Sequence, residues 1–303
     1  MNALVDDLLR VLCLEQLEMN LFRGPSRDLG GRSVYGGQVI GQAMVAASHT
    51  VEDREPHSLH AYFLLPGDMN LPIVYEVDRV RDGSSFSVRR IQAIQRGRPI
   101  LSMIASFHKD EAGFEHQSKM PKVPPPEDLK PMHELAQQWI AETPDVSEEA
   151  RGALQADFFL EFRPTEPANP FVGRSRPSRG ATWFRARSKL PEESWIHRCV
   201  LAYASDFGLL GAAMRPHGRP WFERNMIVAS IDHALWFHRP ARVDEWLLYT
   251  TGSPTAQSAR GLSWGLIFDR QGQLIASAAQ EGLMRQVAER DHWERRTGEN
   301  NGA

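Results

Sequence analysis

The sequence predicts an α+β protein made of two like units, each a long buried helix followed by an antiparallel sheet that wraps it. Three observations carry this expectation. First, GGQVIGQAMVAASHTV from Gly36 and WIHRCVLAYASDFGLLGAAM from Trp195 are apolar nearly all round, the mark of helices buried on most faces. Second, each is followed by runs that alternate apolar and polar residues, the period of a strand. Third, the order repeats at near-constant spacing. His60 aligns with His233 at an offset of 173, and Gly97 aligns with Gly272 at 175.

The elements follow in order. MNALVDDLLRVLCLEQLEM keeps apolar residues at helical spacing and carries Asp6 and Asp7, so it reads as an amphipathic leading helix and not as a signal peptide. The helix from Gly36 leads into SLHAYFLLPGD and FSVRRIQAIQRGRPILSMIASF, with QRGRP as a hairpin turn. MPKVPPPEDLKP is dense in proline, which removes backbone donors and fixes φ, so a linker is expected there. RPTEPANPFVGRSRPSRG from Arg163 also reads as irregular. The second unit runs from the Trp195 helix through IDHALWFHRPARVDEW to RGLSWGLIFDRQGQLIASAAQEGL, turning at DRQGQL. The expected divisions are a first repeat with its leading helix over 1–118, a Pro-rich linker region over 119–180, a second repeat over 181–290 and a flexible tail over 291–303.

Composition excludes several classes. The 303 residues are 42% hydrophobic and 24% charged, as in soluble globular proteins. A net charge of −3 gives no support for a nucleic-acid partner. No apolar run is long enough to span a bilayer. Cys13 and Cys199 are the only cysteines and suit free thiols in a reducing compartment. ENNGA at the end is not a peroxisomal-type address, and a cytoplasmic location is expected.

Four stretches of the sequence carry candidate chemistry. Gly261-Leu262-Ser263-Trp264-Gly265 matches the G-x-S-x-G serine-hydrolase motif, with Asp291 and His292 downstream. That motif needs a strand–turn–helix, and Ser263 lies inside an alternating strand pattern, which disfavours it as a nucleophile. SIDHALWFHRP, residues 230–240, concentrates Ser230, Asp232, His233 and His238. On one continuous strand Asp232 and His233 point to opposite faces, so a local metal site is poor geometry. The repeat pairs His233 with His60, which has no aspartate before it, and so favours a scaffold role for the histidines. Asp206 differs: it is the only charge between Cys199 and Met214, in an otherwise apolar segment. A carboxylate there costs several kcal/mol, roughly, unless it is hydrogen-bonded, which marks it as a candidate to bind and polarise water. The first helix has no acid at the corresponding place, so the two units are chemically unequal. Gly36 and Gly37 expose backbone N–H groups at a positive helix end, suited to an oxyanion, although close helix packing explains paired glycines as well.

VYGGQVIGQAM, HSLHAYFLLPGD, RDGSSFSVRRIQAIQRGRPI, MIASFHKDEAGFEHQ, YASDFGLL, SIDHALWFHRP, EWLLYTTGSPTAQSARG and AAQEGLMR, in that order from about Leu4 to Arg285, together resemble the bacterial acyl-CoA thioesterase II family. The resemblance implies a double hotdog fold and hydrolysis of fatty acyl-CoA, medium or long chain, without metal or cofactor. It implies a catalytic set of Asp206, Ser230 and Gln280, with Ser230 where many members carry threonine. Gly36, Gly37 and His57 are candidate oxyanion or substrate-binding residues. Two rivals stand beside this expectation: a serine hydrolase using Ser263, and a non-catalytic acyl-CoA binding protein. Arg185, Arg187 and Arg224 are among the arginines that could meet coenzyme A phosphates. A homo-oligomer, dimer or tetramer, is expected because hotdog sheets offer free edges.

Overall fold

Two helices buried side by side organise the molecule. In the computed structural model, which describes residues 3–223 and 225–287, the first repeat holds α1 (Ala3–Leu12), β1 (Glu15–Glu18), β2 (Leu21–Gly24), α2 (Gly36–Ser48), β3 (Glu55–Phe63), β4 (Ile73–Asp82), β5 (Phe86–Gln95) and β6 (Arg98–His108). Next come α3 (Met132–Glu142), α4 (Glu148–Gln155), β7 (Leu160–Pro164) and β8 (Gly180–Ala186). The second repeat continues with α5 (Ser194–Ser205), α6 (Gly211–Met214), β9 (Met226–Ser230), β10 (Asp232–Phe237), β11 (Leu247–Gln257), β12 (Arg260–Phe268) and β13 (Leu274–Gln286).

One 13-stranded antiparallel sheet wraps α2 and α5, in the order β1-β2-β4-β5-β6-β3-β10-β13-β12-β11-β8-β7, with β9 added alongside β13. The order mirrors itself about the β3–β10 seam, where Leu235 faces Leu59 and Asp232 faces Tyr62. The fold is therefore the α+β double hotdog that the sequence predicts. Residues 119–180 hold more than a linker: α3, α4 and β7 form there, and β7 pairs with β8 at the end of the second half-sheet. The 291–303 tail, Arg224, Asp291 and His292 lie outside the described residues.

The core is continuous across both repeats. α2 is buried from Gly37 to Ala47, and α5 from His197 to Ser205. Gly36, Gly37 and Gly41 of α2 lie against Asp206, Tyr203 and Cys199 of α5 in turn, so the helices run antiparallel. A Cβ on Gly37 would sit 2.2 Å from the Tyr203 carbonyl oxygen, so this face of α2 must be bare for the helices to meet. The hairpin turns are as expected: Gly97 and Gly272 both take positive φ, at 71° and 83°.

The segment from Trp195 differs from a single long helix. It stops at Ser205, passes through Gly208 at φ 72° and resumes as the short α6. Asp206 is thus a helix C-cap and not a mid-helix residue, which opens its carboxylate to neighbours beyond its own helix.

Candidate active site

Asp206 stands where two helix ends meet. The C-terminus of α5 carries negative partial charge and disfavours a carboxylate, whereas the N-terminus of α2 carries positive partial charge and favours it. A Cβ on Gly36 would come within 2.8 Å of Asp206 Oδ2, so the glycine lets the acid reach the start of α2. The carbonyls that end α5 are occupied by phenols: Tyr35 donates to the Tyr203 oxygen at 3.1 Å, and Tyr249 donates to the Ser205 oxygen at 2.8 Å. Burial first, and then the Asp206 charge, push both phenol pKa values well above the ordinary range, which keeps them as donors. Tyr35 is the N-cap residue of α2, and its side chain makes no bond to the first amides of that helix.

Gln280 ties the site together. Its side chain is 1% exposed and points inward from β13. Nε2 donates to Asp206 Oδ1 at 2.8 Å and also to Ser230 Oγ. Both amide protons are then used, one on the carboxylate and one on the hydroxyl. Ser230 Oγ accepts from Gln280, which leaves its own proton to donate elsewhere. Three side chains far apart in sequence are therefore joined through one amide.

A β-bulge explains how Ser230 comes to face inward. Ser230 pairs with Gly282, and Ala234 pairs with Ala279. Between these pairs Ile231, Asp232 and His233 oppose only Glu281 and Gln280, so one residue is extra. Ser230 closes β9 instead of opening one long strand, and the simple alternation expected for SIDHALWFHRP breaks at Ile231. On an unbroken strand Ser230 and His233 would face opposite ways; the bulge turns both toward Gln280. Asp232 repairs the ladder, since its Oδ1 accepts from the Glu281 N–H at 2.7 Å. That is a structural use of the aspartate.

His233 is the residue that the sequence reading missed. The strand faces show that His60 and His233 are not equivalent: His60 is exposed on the outer face against Trp236, and His233 is 1% exposed on the inner one. Aligning Phe63 with Phe237 and Pro66 with Pro240 gives an offset of 174, which keeps inward residues together and matches His233 to Leu59. The signal was present in those two letters. His233 Nε2 lies 2.8 Å from Ser205 Oγ. Burial lowers its pKa, against opposing pulls from the nearby Asp206 charge and the Gln280 amide.

The remaining candidates stand apart from Asp206. His57 lies six residues from Phe63 along β3, roughly 20 Å at strand rise, whereas it is Phe63 that packs against Gly36. His57 bonds to Ser106 instead and belongs to a cluster with Phe86 and His108. Ser263 is buried in the middle of β12, in register with Gln280, with a turn and another strand after it. Among the described residues no imidazole bonds to it; His233 is two strands away, about 9–10 Å. Arg185 binds Glu161 and stacks over Trp246, and Arg187 pairs with Asp157.

The chain is similar to known proteins along most of its length. Residues 150–283 match the acyl-CoA thioesterase family model, and residues 25–108 match the model of the acyl-CoA thioesterase N-terminal domain. Acyl-CoA thioesterase 2 of Haemophilus influenzae is 42% identical over 286 residues, 94% of this chain and 99% of that protein. Human acyl-coenzyme A thioesterase 8 is 40% identical over 282 residues, 91% of this chain and 88% of that one. The crystal structure of acyl-CoA thioesterase II TesB2 from Mycobacterium marinum superposes with a TM-score of 0.74 at 40% identity, covering 92% of this chain and 98% of that one. A hot dog protein from Alicyclobacillus acidocaldarius shares the fold at a TM-score of 0.73 with 17% identity. By these matches the chain belongs to the acyl-CoA thioesterase family.

Proposed function

We propose that this thioesterase cleaves acyl-CoA by direct attack of a water molecule held between Asp206 and Ser230, with Gln280 fixing both. The observation that carries the reading is the single Gln280 amide that donates to Asp206 and to Ser230 at once. Asp206 accepts one proton of the water, and the Ser230 hydroxyl, free to donate, orients the water oxygen. The oxygen adds to the thioester carbonyl. Negative charge moves to the carbonyl oxygen, which the backbone N–H groups of Gly36 and Gly37 at the start of α2 stabilise. When the intermediate collapses the C–S bond breaks, coenzyme A leaves as thiolate and takes the proton from Asp206, and a free fatty acid remains. No covalent enzyme intermediate is needed.

The acid comes from the second repeat and the oxyanion donors from the first, so one chain has one composite site. Phe63 beside Gly36, and Phe207 stacked on Phe162 at 3.7 Å, give the surroundings of Asp206 an apolar lining that suits a medium or long acyl chain. No helix among the described residues is long and apolar enough to cross a membrane, and we assign the activity to the cytoplasm. Self-association is assigned to the outer sheet face, where Tyr62, Ile104, Trp236 and Trp264 are exposed. The sheet's own end strand β1 is short and acidic, a poor edge to pair. Light scattering on the purified protein reads the mass: a dimer or tetramer is expected, and a monomer contradicts it.

The test of the reaction is release of coenzyme A thiol from a panel of acyl-CoA lengths. Asp206→Asn should lower kcat by about 10²-fold or more at every length. Near wild-type turnover would sink the mechanism. Ser263→Ala should keep most activity; its loss would revive the serine nucleophile.

A further inference from the structure

Gln280 performs its bridging only if its amide is held the right way round. With Nε2 toward the carboxylate the geometry attracts; turned over, Oε1 would face Asp206 and repel it. The carbonyl oxygen therefore has to be held on the other side, yet Gln280 Oε1 is buried without a hydrogen-bond partner. One residue beyond the Ala234–Ala279 pair, His233 sits beside it on β10, and its Nδ1 is also buried without a partner. Two buried atoms without partners thus belong to side chains that neighbour each other across β10 and β13, one an acceptor and one able to donate.

The tautomer decides whether they match. Ser205 Oγ lies 2.8 Å from His233 Nε2 and 2.9 Å from the Ala202 carbonyl oxygen, and it has one proton to give. If that proton goes to Ala202, His233 must donate from Nε2, and Nδ1 becomes an acceptor facing another acceptor. If it goes to Nε2, the ring carries its proton on Nδ1, and both buried atoms can be satisfied together. Leaving two buried polar atoms unpaired costs more than one hydroxyl–carbonyl bond returns, which selects the second arrangement.

We propose that His233 is a positioning residue for the hydrolysis: its Nδ1–H holds the carbonyl oxygen of Gln280, so that Nε2 of the same amide stays between Asp206 and Ser230. This rests on the assignment of Asp206, Ser230 and Gln280 as the catalytic set. The chain runs from Ser205, beside the acid on α5, through His233 and Gln280 and back to Asp206.

The test is a set of substitutions read as kcat and KM for acyl-CoA hydrolysis. His233→Leu places the side chain that the first repeat carries at the equivalent position, Leu59, and should pack there. Loss of one hydrogen bond is expected to lower kcat about tenfold, with KM changed less than about twofold. His233→Asn, whose amide nitrogen falls near Nδ1, should recover most of the loss. His233→Gln, which reaches toward Ser205 instead, should not. In a Gln280→Ala background His233→Leu should have no further effect, because it acts only through that amide. A wild-type kcat for His233→Leu, additive losses in the double variant, or recovery by Gln and not by Asn would each overturn the proposal. If His233→Leu fails to fold, the Asn and Gln pair still decides. Near wild-type activity of Gln280→Ala alone would instead remove the catalytic set on which the proposal stands.

Discussion

The same three positions across the sheet hold Gln280 of the proposed catalytic set in one repeat and a plug in the other. In the second repeat His233, Gln280 and Ser263 lie side by side on β10, β13 and β12, facing the end of α5. In the first, the row is Leu59, Ala105 and Arg89 on β3, β6 and β5, facing the end of α2. Arg89 is 1% exposed, and its guanidinium fills the space. It donates to Thr50 Oγ1 at 2.8 Å, to the Thr50 carbonyl at 3.0 Å and to Asp82 at 2.7 Å, with further bonds to the carbonyls of Arg81 and Val88. A cation also suits the negative end of α2. At the far end of the helix pair the His49 ring packs against Trp195, where the active end has Gly36 against Asp206. The difference teaches that the scaffold offers two equivalent helix ends and that only one carries the proposed catalytic set. Glycines and an acid meet at that end; an arginine and a tryptophan fill the other.

Substitutions at each end test that contrast. The largest effect belongs to Asp206→Asn, given above. Gly36→Ala comes next. Its new Cβ would meet Asp206 Oδ2 at 2.8 Å and the Phe63 ring at the same distance, so the acid must move. A loss of turnover of at least about tenfold is expected, since small misplacements of catalytic groups are costly. Unchanged kcat would separate the helix junction from the chemistry. Arg89→Met should do the reverse. Removing the guanidinium leaves the Thr50 carbonyl without this donor, at a cost of about 2 kcal/mol of stability. Asp82 is 52% exposed and can turn to water, so no buried charge is stranded. The folded fraction should keep its kcat; a catalytic loss comparable to Gly36→Ala would show that the plugged end is not inert.

Acid should loosen the second repeat more than the first. Burial lowers the pKa of His197, His233 and His238 there, and of His57 in the first repeat. A ring that resists protons when folded and accepts them when unfolded makes stability fall as pH drops below the ordinary 6.5, until the folded pKa is passed. Hydrogen exchange at pH 5.5 against 7.5 should show earlier loss of protection on β10 and α5 than on β3 and α2. The smallest effect is expected of Ser230→Thr. It restores a β-methyl that limits χ1 and should change kcat by less than about threefold. A large loss would mean that the bulge leaves no room for the methyl.

The legible part of this molecule was what periodicity and charge record. Two helices apolar on every side, strands of period two and hairpin glycines imply a duplicated wrapped-helix unit, and a lone acid in an apolar run singled out Asp206. The bulge at Ile231 was not legible, because an extra residue in a strand is defined by the partner strand's register. It reversed the facing of Ser230 relative to His233. The break after Ser205 was hidden because Asp206 and Gly208 sit in a segment whose composition continues as helix. His233 was read as scaffold because matching letters outweighed matching faces. Residues 119–180 read as linker because proline-rich ends flank helices that are short and only partly buried.

Single-turnover hydrolysis in H2 18O, with enzyme in excess over acyl-CoA, tests the central claim most directly. If water held by Asp206 attacks the thioester, the first fatty acid formed carries one 18O in its carboxylate, and the peptide containing Asp206 carries none. Label in that peptide, with unlabelled fatty acid, would mean that Asp206 itself attacks the carbonyl, and would contradict the account.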